Sequence, residues 1–230
     1  MQAYIKMVGS NSLDGDHATL FRWYCDHVNM LMHYPELMRA NLFRRLSGEE
    51  SAAPDYVCLY EFPTAGDFLD YSGSDVRKAA SRVREDGWGD RGIKVVQRSE
   101  YMRHSCREFG QVRTEPAPGL PLVYELHCLQ LEGNSCMDTL RWVDACVQGA
   151  RERHLVNAAW LNRPENIDGK APASGEWLVM LEHPSAGKPA ASAPALRWEA
   201  GGADDIQALA PRVRKMRWMA NYEEICRWQR

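Results

Sequence analysis

One block of sequence occurs twice in this chain. Tyr56-Val57-Cys58-Leu59-Tyr60-Glu61-Phe62-Pro63-Thr64-Ala65-Gly66 returns as Trp177-Leu178-Val179-Met180-Leu181-Glu182-His183-Pro184-Ser185-Ala186-Gly187, with Glu61 and Glu182 in the same place, an offset of 121 residues. The same shift carries His33 to His154, Asn41 to Asn162, Gly48 to Gly169 and Tyr101 to Tyr222. So many coincidences at one shift are not expected by chance, and the 230 residues read as two copies of one unit.

Each copy is expected to run strand, helix, strand, strand, helical or irregular stretch, strand. In the first, residues 4–8 open as a strand, a helix follows, and 39–46 and 56–62 form a hairpin across a loop beginning Ser47-Gly48. Short helical pieces over 67–71 and 75–84 end at Asp86-Gly87, and the last strand covers 93–102. In the second copy the strands fall at 122–131, 156–161, 176–182 and 212–219, with a helix over 135–153 opened by the capping pattern Ser135-Cys136-Met137-Asp138. Residues 184–205, rich in Ala, Gly, Pro and Ser, read as a loop in place of the second helix. The proline-rich stretch 114–121 separates a first repeat, 1–113, from a second, degenerate one, 122–230.

A β-α-β-β-α-β unit is ferredoxin-like, an antiparallel sheet with helices on one face. Residues 56–62 are apolar at nearly every position, so both faces of that strand must be dry. The simplest cover for the helix-free face is the sheet of the other copy. Packing sheet on sheet would enclose an interior suited to a small organic molecule.

Composition narrows the function classes. A formal net charge of -3 does not suit a nucleic-acid binder, and no uncharged run reaches membrane-spanning length. The seven cysteines are odd in number and lack a C-x-x-C pair, which fits free thiols in a reducing, cytoplasmic setting. His104-Ser105-Cys106 and His127-Cys128 could each offer two metal ligands, but neither has a convincing second pair, so no metal site is assigned.

The opening helix is where chemistry is expected. Asp14-Gly15-Asp16 supplies turn and N-cap residues, no proline intervenes until Pro35, and Leu20, Tyr24, His27 and Leu31 share one face. An imidazole on an apolar stripe beside a phenol suits general acid or base work when a cavity opens there, and is otherwise an inert helix histidine. At the offset of the repeat His27 becomes Gln148, or Val147 with a gap, and Tyr24 becomes Ala145 or Asp144, so one half alone keeps the pair. Tyr4, Trp23 and Tyr60 are candidate lining residues. Glu61 is a candidate ligand contact whose recurrence as Glu182 also fits a salt bridge or turn cap. Arg44-Arg45 could clamp an acidic ligand but sits where arginines are usually solvated, and Arg77-Lys78 with Arg82 reads as the wet side of the second helix.

Two ferredoxin-like units joined sheet to sheet resemble the dimeric α+β barrel superfamily, here fused as a single-chain, pseudo-dimeric barrel of the α+β class. The opening helix, with Phe21, Trp23-Tyr24, His27 and Pro35-Glu36-Leu37, is similar to the EthD-like branch, whose helix commonly carries an aromatic pair followed by a histidine. That branch often has proline two residues after the histidine. Here Asn29 stands instead, and the helix is expected to continue through it.

The resemblance implies a small apolar or aromatic ligand. The expectation is a cofactor-independent cyclase, isomerase, dehydratase or related lyase in which His27 moves a proton from the gap between the sheets and Tyr24 donates a hydrogen bond. The alternatives are a haem-binding or oxygenase barrel using His27, His33 or His154 as axial ligand, and a non-catalytic, stress-associated binding module. Exposed tryptophans expected near Trp218 and Trp228 leave room for a homo-oligomer.

Overall fold

A computed structural model describes residues 3–13, 15–46, 52–83, 93–103, 122–132, 142, 157–162, 176–184 and 212–230. Chain contacts divide it into two compact units: 1–45 with 54–103 and 224–230, and 46–53 with 104–223. The units therefore do not coincide with the two halves of the sequence. The proline-rich stretch 114–121 and nearly all of 135–153 lie outside the described residues, as does 185–205.

The first unit contains β1 (Ala3–Ser12), α1 (His17–Leu31), β2 (Arg39–Arg45), β3 (Tyr56–Phe62), α2 (Ala65–Gly73), α3 (Asp75–Val83) and β4 (Ile93–Arg103). Its strand order is β4-β1-β3-β2, the ferredoxin-like arrangement, with antiparallel pairing of β1 to β3 and β4 and of β2 to β3. Opposite partners Tyr4 and Phe62, Lys6 and Tyr60, Val8 and Cys58, and Ser10 and Tyr56 point to one face. The helices lie on that face: Tyr4 stacks on Phe68 of α2 at 4.9 Å, and the Ser10 hydroxyl meets that of Tyr24 on α1 at 2.6 Å. On the opposite face Ile5, Met7, Val57, Leu59 and Tyr101 are buried too, so β3 is dry on both sides as its composition requires.

Local chemistry sets the helix ends. Gly15 takes φ +76°, and the Asp16 carboxylate then accepts from the Thr19 N–H at 3.0 Å. Hydrogen bonding from the Thr19 hydroxyl, and then from this N–H, holds the Asp16 carboxyl below its ordinary value. With Asn29 in place of proline, α1 continues to Leu31. The helix after β3 starts two residues earlier than expected, because the Thr64 hydroxyl caps it, accepting from the Asp67 N–H at 3.2 Å and donating to the Asp67 carboxylate at 2.6 Å.

A β-bulge interrupts the pairing of the first and last strands of this sheet. β1 and β4 shift register between Gly9 and Ser10, so Val8 faces Arg98 while Ser10 faces Val95. Val95 and Arg98, three apart and otherwise on opposite faces, are thereby turned to the same side. Gly9 is required beside this irregularity, since a Cβ there would stand 2.6 Å from Cγ of Pro54.

The second unit holds β5 (Leu122–Glu132), β6 (Asn157–Asn162), β7 (Glu176–Pro184) and most of β8 (Arg212–Gln229). Its order, β8-β5-β7-β6, has the same form as the first, with β5 antiparallel to both β7 and β8. β8 runs ten residues beyond the expected end at 219, because its polar end lies beside β2, where the Arg230 N–H donates to Met38 O at 3.3 Å. The expected exposed tryptophans are not found: Trp218 is buried, and Trp228 is half-buried with its indole N–H on Asn29 Oδ1 at 2.9 Å. Among the described residues no helix is long and apolar enough to cross a membrane.

Candidate functional site

α1 presents its apolar stripe to the sheet, burying Leu20, Trp23, Tyr24, Val28 and Leu31. His27 follows Trp23 by four residues, one helical turn, and the two rings stack with centroids 4.7 Å apart and planes 11° apart. Trp23 is buried, and its ring meets Tyr24 edge-on at 4.9 Å. The imidazole is thus held by an aromatic wall instead of swinging on an exposed side chain.

Beside it opens a cavity of about 790 Å³, built wholly from the first unit. α1 contributes Trp23, Tyr24, His27 and Leu31, and β3 contributes Tyr60. α2 adds Phe68 and Tyr71, α3 adds Arg77, Lys78, Ser81 and Arg82, and the sheet floor adds Lys6, Val8, Val95, Arg98 and Glu100. The volume lies within the range of small-molecule sites. His27 therefore looks into the space between the helices and their own sheet, not onto the helix-free face as expected. A side chain on a helix packed against one face of a sheet cannot reach the other face.

Three phenols line this cavity, and burial raises the pKa of each. Tyr24 is fully buried and its hydroxyl is 2.6 Å from Ser10 Oγ. Tyr60 is raised well above the ordinary phenol value by burial, with Cys58 and Tyr24 close by. Tyr71 is raised by burial although the Arg77 guanidinium pulls the other way. Burial also pushes the neighbouring Cys58 thiol up to about 12. These groups are neutral hydrogen-bonding partners, not bases, at ordinary pH.

The cavity brings together Trp23, Tyr24, His27 and Tyr60 of the residues expected from sequence. Tyr4 and Glu61 do not line it. Tyr4 is buried under Phe68, and Glu61 accepts from Arg39 Nε at 3.0 Å and Nη2 at 2.7 Å, in a separate hollow of about 350 Å³. Arg39 and Glu61 are direct cross-strand partners, the salt-bridge alternative for this carboxylate. Arg45 is likewise occupied, pairing with Asp55 at 2.6 Å.

Sequence reasoning missed the basic side of the cavity. Lys78 and Arg82 are exposed, as the pattern of a solvated helix face requires, and with the half-buried Arg77 they also stand along the cavity wall. Lys6, Arg98 and Glu100 gave no signal because alternation puts them on one face of the β1–β4 ladder without telling which face the helices cover. Of the other histidines considered, His33 is exposed beyond α1, and His154 lies outside the described residues. His127 is fully buried and paired with Glu125. Its neighbour Cys128 points to the other face of β5, so the two cannot share an ion. His104-Ser105-Cys106 lies outside the described residues. Among the described residues no three metal-ligating side chains cluster.

No family model and no curated protein matches the chain. Solved structures resemble it at low identity. An anthrone oxidase-like protein aligns with TM-score 0.61 at 9% identity, covering 99% of this chain and 93% of that one. A Fusobacterium nucleatum protein assigned as a monooxygenase gives 0.51 at 8% identity, covering 100% and 97%. A chlorite dismutase variant from Candidatus Nitrospira defluvii gives 0.52 at 8%, covering 97% and 92%. The likeness shows the fold class alone: α+β, with antiparallel sheets of the dimeric α+β barrel kind.

Proposed function

We propose that the first unit carries the active site of a small-molecule enzyme in which His27 moves a proton on an aromatic or otherwise apolar organic substrate, in a cyclisation, isomerisation, dehydration or related lyase step without an added cofactor. The observation that carries this reading is the His27 imidazole, fixed by its stack on Trp23, on the wall of an aromatic cavity of about 790 Å³. Tyr24 is the hydrogen-bond donor. The Ser10 hydroxyl, 2.6 Å away, can donate to the phenol oxygen, which leaves the phenolic proton for a substrate oxygen, and burial keeps that proton in place. Trp23 and Tyr60 shape the aromatic wall.

Two resemblances support this reading by analogy alone: the EthD-like pattern of α1, and the anthrone oxidase-like fold neighbour. The second suggests a test substrate. Anthrone is a tricyclic aromatic ketone whose methylene proton must leave and return in keto-enol exchange, the kind of step assigned to His27. Exchange of that methylene for deuterium, followed by NMR, should be accelerated by the protein. His27→Ala should reduce the acceleration by about 100-fold or more with the fold unchanged by circular dichroism. Equal acceleration by the variant would remove His27 from the mechanism.

A further inference from the structure

The charges around the cavity are one-sided. Five cationic side chains line it, Lys6, Arg77, Lys78, Arg82 and Arg98, against the single carboxylate of Glu100. Two of the five are committed: Lys6 to Glu100 at 2.6 Å and Lys78 to Asp75 at 3.3 Å. Among the described residues Arg77, Arg82 and Arg98 have no carboxylate partner. Arg77 instead donates to the Ser81 hydroxyl on its own helix. A purely apolar ligand gives no use for three such cations around an aromatic chamber. Their placement is also specific: Arg98 lies opposite Val8 on the helix-covered face of β4, the bulge just beyond it turns Val95 to that same side, and α3 carries Arg77 and Ser81 one turn apart.

We propose that this cavity takes an aromatic acid, its rings against Trp23, Tyr60 and Phe68 and its carboxylate or sulfonate held by Arg77 and Arg98, with Arg82 adding charge. Guanidinium groups suit the task, since they offer paired donors to a planar or tetrahedral oxyanion. This deepens the proposed function and rests on the same cavity, but it concerns binding and not the proton transfer.

The test compares two probes with one ring system on the intact chain: 8-anilinonaphthalene-1-sulfonate and uncharged N-phenyl-1-naphthylamine, each titrated by fluorescence. The sulfonate should bind about tenfold or more tightly. Arg77→Gln and Arg98→Gln should each weaken it about tenfold while leaving the naphthylamine unchanged, with circular dichroism checking the fold. Equal affinity for the two probes, or arginine variants without effect on the sulfonate, overturns the proposal and leaves the proton-transfer reading standing. Failure of both probes to bind overturns both readings. Charge-selective, arginine-dependent binding without catalysed anthrone exchange upholds this proposal and removes only the proton-transfer step.

Discussion

The imidazole of His27 lies flat on the indole of Trp23, with 11° between the planes. The indole is buried, so the stack fixes which way the imidazole faces as well as adding contact energy. Position and stability can be separated here. Trp23→Phe keeps a ring under the imidazole and should leave anthrone exchange within about tenfold of the parent. Trp23→Leu keeps apolar burial but removes the ring. Exchange should then fall ten- to about 100-fold, and urea denaturation should show a loss of about 1–3 kcal/mol. Equal exchange in the two variants would show that the stack does not position His27.

Alkaline stability depends on the buried phenols. Burial raises Tyr24, Tyr60 and Tyr71, and pushes Cys58 up to about 12. Each folded pKa lies above its unfolded value, about 10 for a phenol and 8.5 for a thiol. The native state therefore holds protons that the unfolded chain releases. The stabilisation is complete below the unfolded values and is lost as pH rises toward the folded ones. The urea midpoint should fall progressively above about pH 8.5–10, and these phenols should resist ionisation, read at 295 nm, until the protein unfolds. A midpoint that rises with pH in that window would contradict the assignment.

Gly9 has no room for a side chain. An added Cβ would stand 2.6 Å from a ring carbon of Pro54, and that ring cannot swing aside as a long side chain would. Gly9→Ala should cost about 1–3 kcal/mol by chemical denaturation. Combining it with Pro54→Ala should recover much of that loss, a non-additive cycle marking direct contact.

The Arg39–Glu61 pair is a cross-strand ion pair in which one carboxylate oxygen accepts from Nε and Nη2. Both side chains keep partial access to water, 28% and 18%, so solvent screens them. A double-mutant cycle with Arg39→Gln and Glu61→Gln should give a coupling of about 0.2–1 kcal/mol that shrinks in high salt. A coupling several times larger would point to a role beyond pairing.

Much of the fold was legible in local pattern. The run 56–62 was recognisable as a strand dry on both faces because apolar residues occupy nearly every position, and β3 has those bounds. Asp16 announced the start of α1, and the missing proline at Asn29 announced its continuation. The placement of residues 224–230 with the first unit was not legible, since pairing between β2 and the end of β8 depends on partners far apart in sequence. The burial of Trp218 was hidden for the same reason.

The candidate site divides in a similar way. Periodicity alone put Tyr24 and His27 on one stripe of α1, and composition alone excluded a strongly basic surface. Tertiary structure decided which face of the sheet that stripe covers, and so which space His27 lines. It also decided the fate of charges: Glu61 went to Arg39, while Arg98 lines the cavity because the helices cover its face of β4, where a bulge that no alternation pattern reveals also brings Val95. Helix and strand periods are properties of neighbouring residues and can be read along the chain. Register, bulges and ion pairs depend on which distant segments meet, and those are chosen only when the whole chain packs.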